Sequence, residues 1–257
     1  SMTNSCFPHV VNIAVKACLK ALGFKLPLPK DFKIDPNAPE DLDLKLLQIV
    51  HALRSSGQRR EALENVIEDG NEAKEWLNEK GEFEPINVLT LLRAVDTRWS
   101  SYFLMIDRFL VLWQPICKLL ASETLLQKEL GDLMLSEKQL EALEDVRTFL
   151  GAMHLAQELV SGQRTPTLCH VLPIYATLIQ SLKEIQEDCP KIKHGVQAAI
   201  DKLEEYMDKA KENQAYALAM SMSSSSALIF FSLISIFSHQ SVHQVLVAQE
   251  ARPGEGF

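Results

Sequence analysis

The sequence predicts an all-α protein organised as a multi-helix bundle. Apolar residues recur at three- and four-residue spacing along most of the chain, and this spacing gathers them on one face of a helix. Glycine accounts for only 10 of the 257 residues, below the average of roughly 7%, which disfavours turn-rich β structure. Ser136 and Gln139 form a capping box, which marks the start of one helix directly.

The first part of the chain predicts three helices. Two amphipathic helices are expected over residues 8–22 and 42–53, because their apolar residues repeat along one side. Residues 26–41 lie between them and hold four prolines, which predicts a linker. A third, acidic helix is expected over residues 61–80, with Trp76 among its apolar positions.

Proline positions organise the helices of the second part. Pro115 is expected to kink or restart a helix that follows an apolar segment at residues 87–94. A helix over residues 116–133 comes next, and the capping box then opens a long helix. Pro173 is expected to mark the beginning of the following regular helix, and Pro190 the beginning of the last one. The last three helices are expected to form a bundle.

Charge and cysteine content exclude two classes of protein. The formal net charge is −8, which argues against a protein that coats nucleic acid indiscriminately. The five cysteines are odd in number and widely spaced, which favours reduced thiols over a disulfide framework. The 11-residue apolar run at residues 227–237 is shorter than the about 20 residues that span a bilayer, so no membrane partner is predicted.

Two segments contain candidate binding residues. At residues 96–102 the chain reads Asp-Thr-Arg-Trp-Ser-Ser-Tyr, which places Arg98, Trp99 and Ser100 at the start of a helix. This arrangement suits a phosphate group or an unpaired base. The alternative is a capped helix with Trp99 in the core.

The second candidate segment is the turn at residues 54–60, the densest basic cluster in the chain. Arg54, Arg59 and Arg60 lie there with two serines. Guanidinium and hydroxyl groups are frequent donors to phosphate oxygens, which predicts a phosphate-contacting loop. The alternative is a solvated connection between two helices.

Three segments carry a resemblance to a known family. Thr97-Arg98-Trp99-Ser100-Ser101-Tyr102 with Met105 to Arg108 resembles the T-R-W-[NS]-S-x-Y-x-M-[LI]-x-R signature of hAT-superfamily transposases. Residues 6–13 resemble the C-x-x-H-x-x-N-L motif of that family, and residues 166–173 resemble its P-T-L-x-x-V-L-P segment. The three segments occur in the family order and span about residues 5–220.

The resemblance implies a DNA transposase with an RNase H-like core and a large all-helical insertion. Family members use two aspartates and a distant glutamate to hold Mg²⁺ or Mn²⁺. The C-x-x-H motif follows the second aspartate closely, so both aspartates are expected upstream of this chain and the glutamate downstream. We therefore expect no catalytic residue, no cofactor, no complete RNase H-like sheet and no enzymatic activity in this chain.

Residue by residue, the resemblance assigns Arg98 and Trp99 to hairpin-ended flanking DNA, with the tryptophan stacked on a base. Cys6 and His9 match the C-x-x-H pair. Two ligands do not complete a zinc site, so these residues are expected to be structural and no metal is predicted. The full predicted nucleic-acid-binding set is Arg98, Trp99, Ser100, Arg54, Arg59, Arg60 and Arg93.

These expectations divide the chain into a core-edge helix at residues 1–25, a linker at 26–41, a helical insertion at 42–220 and a non-family tail at 221–257. The predicted location is the nucleus. The predicted partner is DNA at transposon ends, with self-association or other transposase segments as further partners. The alternative is a helical protein-interaction scaffold that no longer binds DNA. An exposed Trp99 with convergent arginines would favour DNA, whereas a buried Trp99 with arginines paired to Glu61, Glu64 or Asp96 would favour the scaffold.

Overall fold

A computed structural model describes residues 7–24, 42–78, 80–95, 99–122, 124–161 and 168–211. Within these ranges the chain is all-helical, which confirms the predicted fold class. The described helices are α1 (Phe7–Ala21), α2 (Leu42–Ser55), α3 (Gly57–Glu72), α4 (Trp99–Val111), α5 (Trp113–Ser122), α6 (Thr124–Leu130), α7 (Glu137–Ser161), α8 (Leu168–Asp188) and α9 (Lys193–Lys211).

Short elements complete the described structure. Single 3₁₀ turns lie at Gly131–Leu133 and Pro190–Ile192. In the ranges given above, the β-type pairing consists of one isolated antiparallel bridge between Leu77 and Phe83. Within the same ranges, no helix combines the length and the apolar character needed to span a membrane.

The chain divides into two compact units, and the boundary falls within α7 between Glu144 and Asp145. The first unit combines α1 with the chain from Asp145 onward, and the second comprises residues 27–144. The predicted boundaries at residues 25, 41 and 220 lie at or within ranges outside the described residues and stay predictions.

In the first unit, α9 packs against both α1 and α8. Gly195 allows α9 to approach α1 closely, because a Cβ atom at this position would lie 2.5 Å from Leu22 Cγ. At the other end of α1, the rings of Phe7 and Tyr175 meet edge to face with centroids 4.9 Å apart. The buried apolar residues of α1 and α9 include Val10, Val11, Ala14, Val15, Cys18, Val196, Ala199, Ile200 and Leu203.

In the second unit, α3 packs against α2 and α5, and α5 continues into contact with α6. In its described residues, the segment between α3 and α4 contains no helix. The largest fully buried side chains of the unit are Tyr102, Phe103, Phe109, Leu46, Ile49, Leu53, Ile67, Met105, Ile106 and Leu112.

Several predicted helix boundaries are wrong. The third helix covers Gly57–Glu72 rather than residues 61–80, and Lys74 just beyond it has a φ of 57°, a conformation that ends helices. The helix expected over residues 116–133 is divided into α5, α6 and a 3₁₀ turn. Pro173 lies inside α8 and does not mark its beginning. The capping box is confirmed, since Ser136 N donates to Gln139 Oε1 at 3.0 Å and Gln139 N donates to Ser136 Oγ at 3.4 Å.

We predict that Gly195→Ala lowers the free energy of unfolding by about 1–3 kcal/mol, because the added methyl group overpacks the contact with Leu22. Urea denaturation of the full chain measures this change. Gly57→Ala is the control, since the nearest atom to its added Cβ is Arg60 Nη2 at 3.9 Å. In a Leu22→Ala background the cost of Gly195→Ala should shrink, and an unchanged cost would contradict the packing explanation.

Candidate nucleic-acid interface around helix α4

Trp99 lies in the core of the second unit. It is the first residue of α4, and its side chain is 7% exposed. Tyr102, Met105 and Ile106 are buried on the same helix at the spacing of one helical face. A base could stack on the indole only if Trp99 left this position. Asp96, Thr97 and Arg98 lie outside the described residues, and Ser100 is half-buried.

Two other residues of the signature hold the segment that precedes α4. The hydroxyl of Ser101 accepts a hydrogen bond from Val95 N at 2.8 Å and donates one to Val95 O at 3.1 Å. Arg108 Nη1 donates to the carbonyl of Thr90 at 3.0 Å. These signature residues therefore fix the path of the chain before the helix.

Tyr102, at a variable position of the signature, is buried near Asp43 of α2. Burial, and secondarily the nearby carboxylate of Asp43, raises the pKa of Tyr102 well above its usual value. Asp43 is itself buried, and its Oδ1 accepts a hydrogen bond from Leu44 N at 2.9 Å. The phenol therefore stays neutral in the buried core.

The predicted basic cluster makes contacts within the protein. Arg54 donates through Nη1 to the carbonyl of Leu91. Arg60 donates through Nη1 to the carbonyl of Arg54 at 2.8 Å. Arg59 donates to the carbonyl of Ala52 at 3.2 Å and forms a two-bond pair with Glu129, at 3.2 and 2.6 Å.

Arg59 has a different acidic partner from those expected, and Arg93 lies in a different segment from the other three arginines. Arg59 pairs with Glu129 of α6 rather than with Glu61 or Glu64. Arg60 remains exposed despite its bond, and Arg93 is exposed in the segment before α4. Arg54, Arg59 and Arg60 are thus brought together at the α2–α3 turn, but much of their donor capacity is used by the protein itself.

The segment between α3 and α4 is held by side chains of the surrounding helices. The sequence did not predict these contacts. Asn71 Nδ2 donates to Ile86 O at 2.8 Å, and Asn71 Oδ1 accepts from Ile86 N at 2.9 Å. Gln114 binds the N–H and the carbonyl of Leu77 in the same way, at 3.4 and 2.8 Å. Amide side chains that satisfy a backbone group at a distance leave no periodic signal in the sequence.

The first part of this segment is a small hairpin, residues 75–84. Asn78 N donates to Glu82 O at 2.9 Å, and Glu84 N donates to Trp76 O at 3.0 Å. Gly81 at the turn has a φ of 74°, where glycine is favoured. An asparagine followed three residues later by glycine is a turn signal that sequence reasoning could have used.

Trp76 anchors the hairpin to α3. Its indole is buried and donates to the carbonyl of Ile67 at 3.2 Å. The ring lies over Gly70, where any Cβ would come within 2.0 Å of the indole. On the outer side, Lys118 pairs with Glu75 and lies 5.6 Å from the Trp76 ring centroid.

No metal centre is assembled in the described ranges, where no group of three or more His, Cys, Asp or Glu side chains could hold an ion. Cys6 lies outside these ranges, and His9 is exposed on α1.

Burial raises the pKa of Cys117 to about 11. Burial, followed by the interaction with Asp145, raises the pKa of Cys189 to about 12. Both remain thiols at neutral pH.

Known proteins do not assign the site. No protein family, no curated protein and no solved structure matches the chain. The resemblance to hAT transposases therefore rests on the three segments quoted above.

We predict that Arg54→Met lowers the free energy of unfolding by about 1–3 kcal/mol, because it leaves the carbonyl of buried Leu91 without its donor. Arg93→Met, the same change at an exposed position, should stay within about 0.5 kcal/mol of wild type. Chemical denaturation of both variants measures the difference. Equal effects would contradict a structural role for Arg54.

Proposed function

We propose that this chain is a helical protein-interaction scaffold derived from a hAT-type transposase. The observation that carries the proposal is the internal use of the signature. Trp99, Met105 and Ile106 are buried, and Ser101 and Arg108 bind the backbone of the preceding segment. A signature whose described residues build the fold explains the resemblance without requiring that DNA binding was retained.

Charge supports the same proposal. Binding to DNA depends on lysine and arginine side chains that are free to neutralise phosphates. Here Arg54 and Arg59 are half-buried and bonded within the protein, and the chain carries a net charge of −8. An acidic surface repels a nucleic acid but attracts basic segments of other proteins.

The resemblance also bears on the activity, the location and the partners of the chain. No residue of this chain matches a catalytic carboxylate of the resembled family, so we propose that it has no transposition activity and no resident metal. By the same resemblance we place its activity in the nucleus, with self-association or contact to other transposase segments among its interactions.

DNA binding is the second candidate, and the exposure of Arg60 and Arg93 favours it. In this alternative, the two guanidinium groups contact phosphates, together with Arg98 of the signature. Such contacts would be sensitive to salt and insensitive to the structure of the DNA end.

Titration of the full chain with hairpin-ended and blunt duplex DNA, at low and moderate salt, separates the two candidates. For the scaffold we predict no preference for the hairpin and no binding at moderate salt. Trp99→Phe keeps an aromatic ring in the core, and Arg60→Gln/Arg93→Gln removes the exposed charges. Neither should change the result.

Hairpin-specific binding that Trp99→Phe weakens, in a variant that remains folded, would contradict the proposal. Salt-sensitive binding that Arg60→Gln/Arg93→Gln abolishes would support the DNA alternative instead. Thermal unfolding of each variant serves as the control for folding.

A further inference from the structure

The exposed large apolar side chains of the described residues all fall between residues 77 and 104. Leu77 is 50% exposed and Phe83 is 38% exposed. The remaining three are Val88, Val95 and Leu104. Single exposed apolar residues are ordinary on protein surfaces, but Leu77 and Phe83 are distinguished by their position within one hairpin.

Leu77 and Phe83 lie directly opposite each other in the antiparallel bridge. The flanking bonds run from Asn78 N to Glu82 O and from Glu84 N to Trp76 O. Leu77 and Phe83 are therefore the non-hydrogen-bonded pair, the arrangement in which opposing side chains lie closest together. The two form a single exposed apolar knob, which we call the hairpin knob.

The hairpin knob is held in place by several contacts. Trp76 fixes one side of the hairpin on Gly70, and Gln114 binds both backbone groups of Leu77. At the turn, Asn78 Oδ1 accepts hydrogen bonds from Lys80 N and Glu82 N, each at 3.0 Å. A preorganised apolar surface loses little conformational entropy on binding, which favours its use as a docking surface.

The surroundings of the hairpin knob are acidic. Glu82 and Glu84 flank Phe83 and are exposed, and Glu75 is exposed near Leu77. Residues 68–84 contain seven acidic and two basic side chains. Lys118 pairs with Glu75 of the hairpin, so seven acidic groups still outnumber three basic ones. The local field is negative, and a partner that buries the knob must tolerate or neutralise this charge.

We propose that the hairpin knob docks a basic amphipathic helix of a partner protein, whose apolar face covers Leu77 and Phe83 and whose lysines or arginines meet Glu82 and Glu84. Nucleic acids and anionic lipid surfaces carry the same sign of charge as the hairpin, as does a second copy of this acidic chain. This inference rests on the proposed scaffold function and names the surface and the chemical class of the partner.

The test uses the full chain and a synthetic helical peptide of leucine and lysine, about 18 residues or five turns long, with apolar residues at three- and four-residue spacing. A leucine–glutamate peptide of the same pattern is the matched control. Fluorescence anisotropy at two salt concentrations gives the affinities. We predict that the leucine–lysine peptide binds and that the leucine–glutamate peptide does not.

Leu77→Ser/Phe83→Ser should weaken binding by about tenfold or more, as expected for the loss of a central apolar anchor. Leu104→Ser, which removes an exposed leucine outside the hairpin, should bind like wild type. Glu82→Lys/Glu84→Lys should remove most of the preference for the leucine–lysine peptide and raise the affinity for the leucine–glutamate peptide. This rise is a gain of binding, which an unfolded hairpin would not produce.

Glu184→Gln/Glu187→Gln removes two exposed charges from α8 in the other unit and controls for general electrostatic attraction. An affinity that is equally sensitive to this variant and to Glu82→Gln/Glu84→Gln would overturn the hairpin knob as the site. Concentration-dependent self-association lost in Leu77→Ser/Phe83→Ser would assign the knob to a second copy of the chain and would also overturn the proposal.

Different results would reject the hairpin knob and the proposed scaffold function. If every hairpin variant binds the peptide with the affinity of wild type and the chain does not bind DNA, the hairpin knob is rejected. The proposed scaffold function then still stands. Hairpin-specific DNA binding in the titration described above rejects the scaffold function, whatever the peptide does.

Discussion

Residues 73–95 form no helix in their described part, so the hydrogen bonds that a helix would supply to this backbone must come from elsewhere. Buried or half-buried backbone groups without partners destabilise a fold. Asn71, Arg54, Arg108, Ser101 and Gln114 meet this requirement from four surrounding helices. The architecture of the second unit depends on these side chains, because they fix the path by which the chain passes from α3 to α4.

This constraint also explains why residues suited to DNA serve the fold. A guanidinium group can donate to a backbone carbonyl as readily as to a phosphate oxygen, and its long side chain reaches from a helix to a neighbouring segment. Arg54 and Arg108 are used in this way. A serine near the start of a helix can satisfy the chain before it, as Ser101 does. Residue type alone could not decide between these uses.

The sequence predicted the all-α class and the start of α7 at Ser136, because both depend on local periodicity and capping. It placed Trp76 in a helix and Trp99 at a DNA-binding surface. Trp76 instead folds back on Gly70, a tertiary contact that helical spacing does not encode. Trp99 is buried, as the alternative interpretation of the same motif expected. The apolar spacing of α4 was compatible with both interpretations, and only the three-dimensional packing distinguishes them.

Backbone amide hydrogen exchange of the full chain, with and without hairpin-ended DNA, tests most directly whether the motif serves the fold. The amides of Ile86 and Val95 are bonded to Asn71 and Ser101, so we predict slow exchange that DNA does not alter. Val88 N makes none of the hydrogen bonds that hold this segment, so its amide is an internal reference for fast exchange. If Ile86 and Val95 exchange as fast as Val88 in the free chain and become protected only when DNA is added, the signature serves DNA and the structural role proposed for it is wrong.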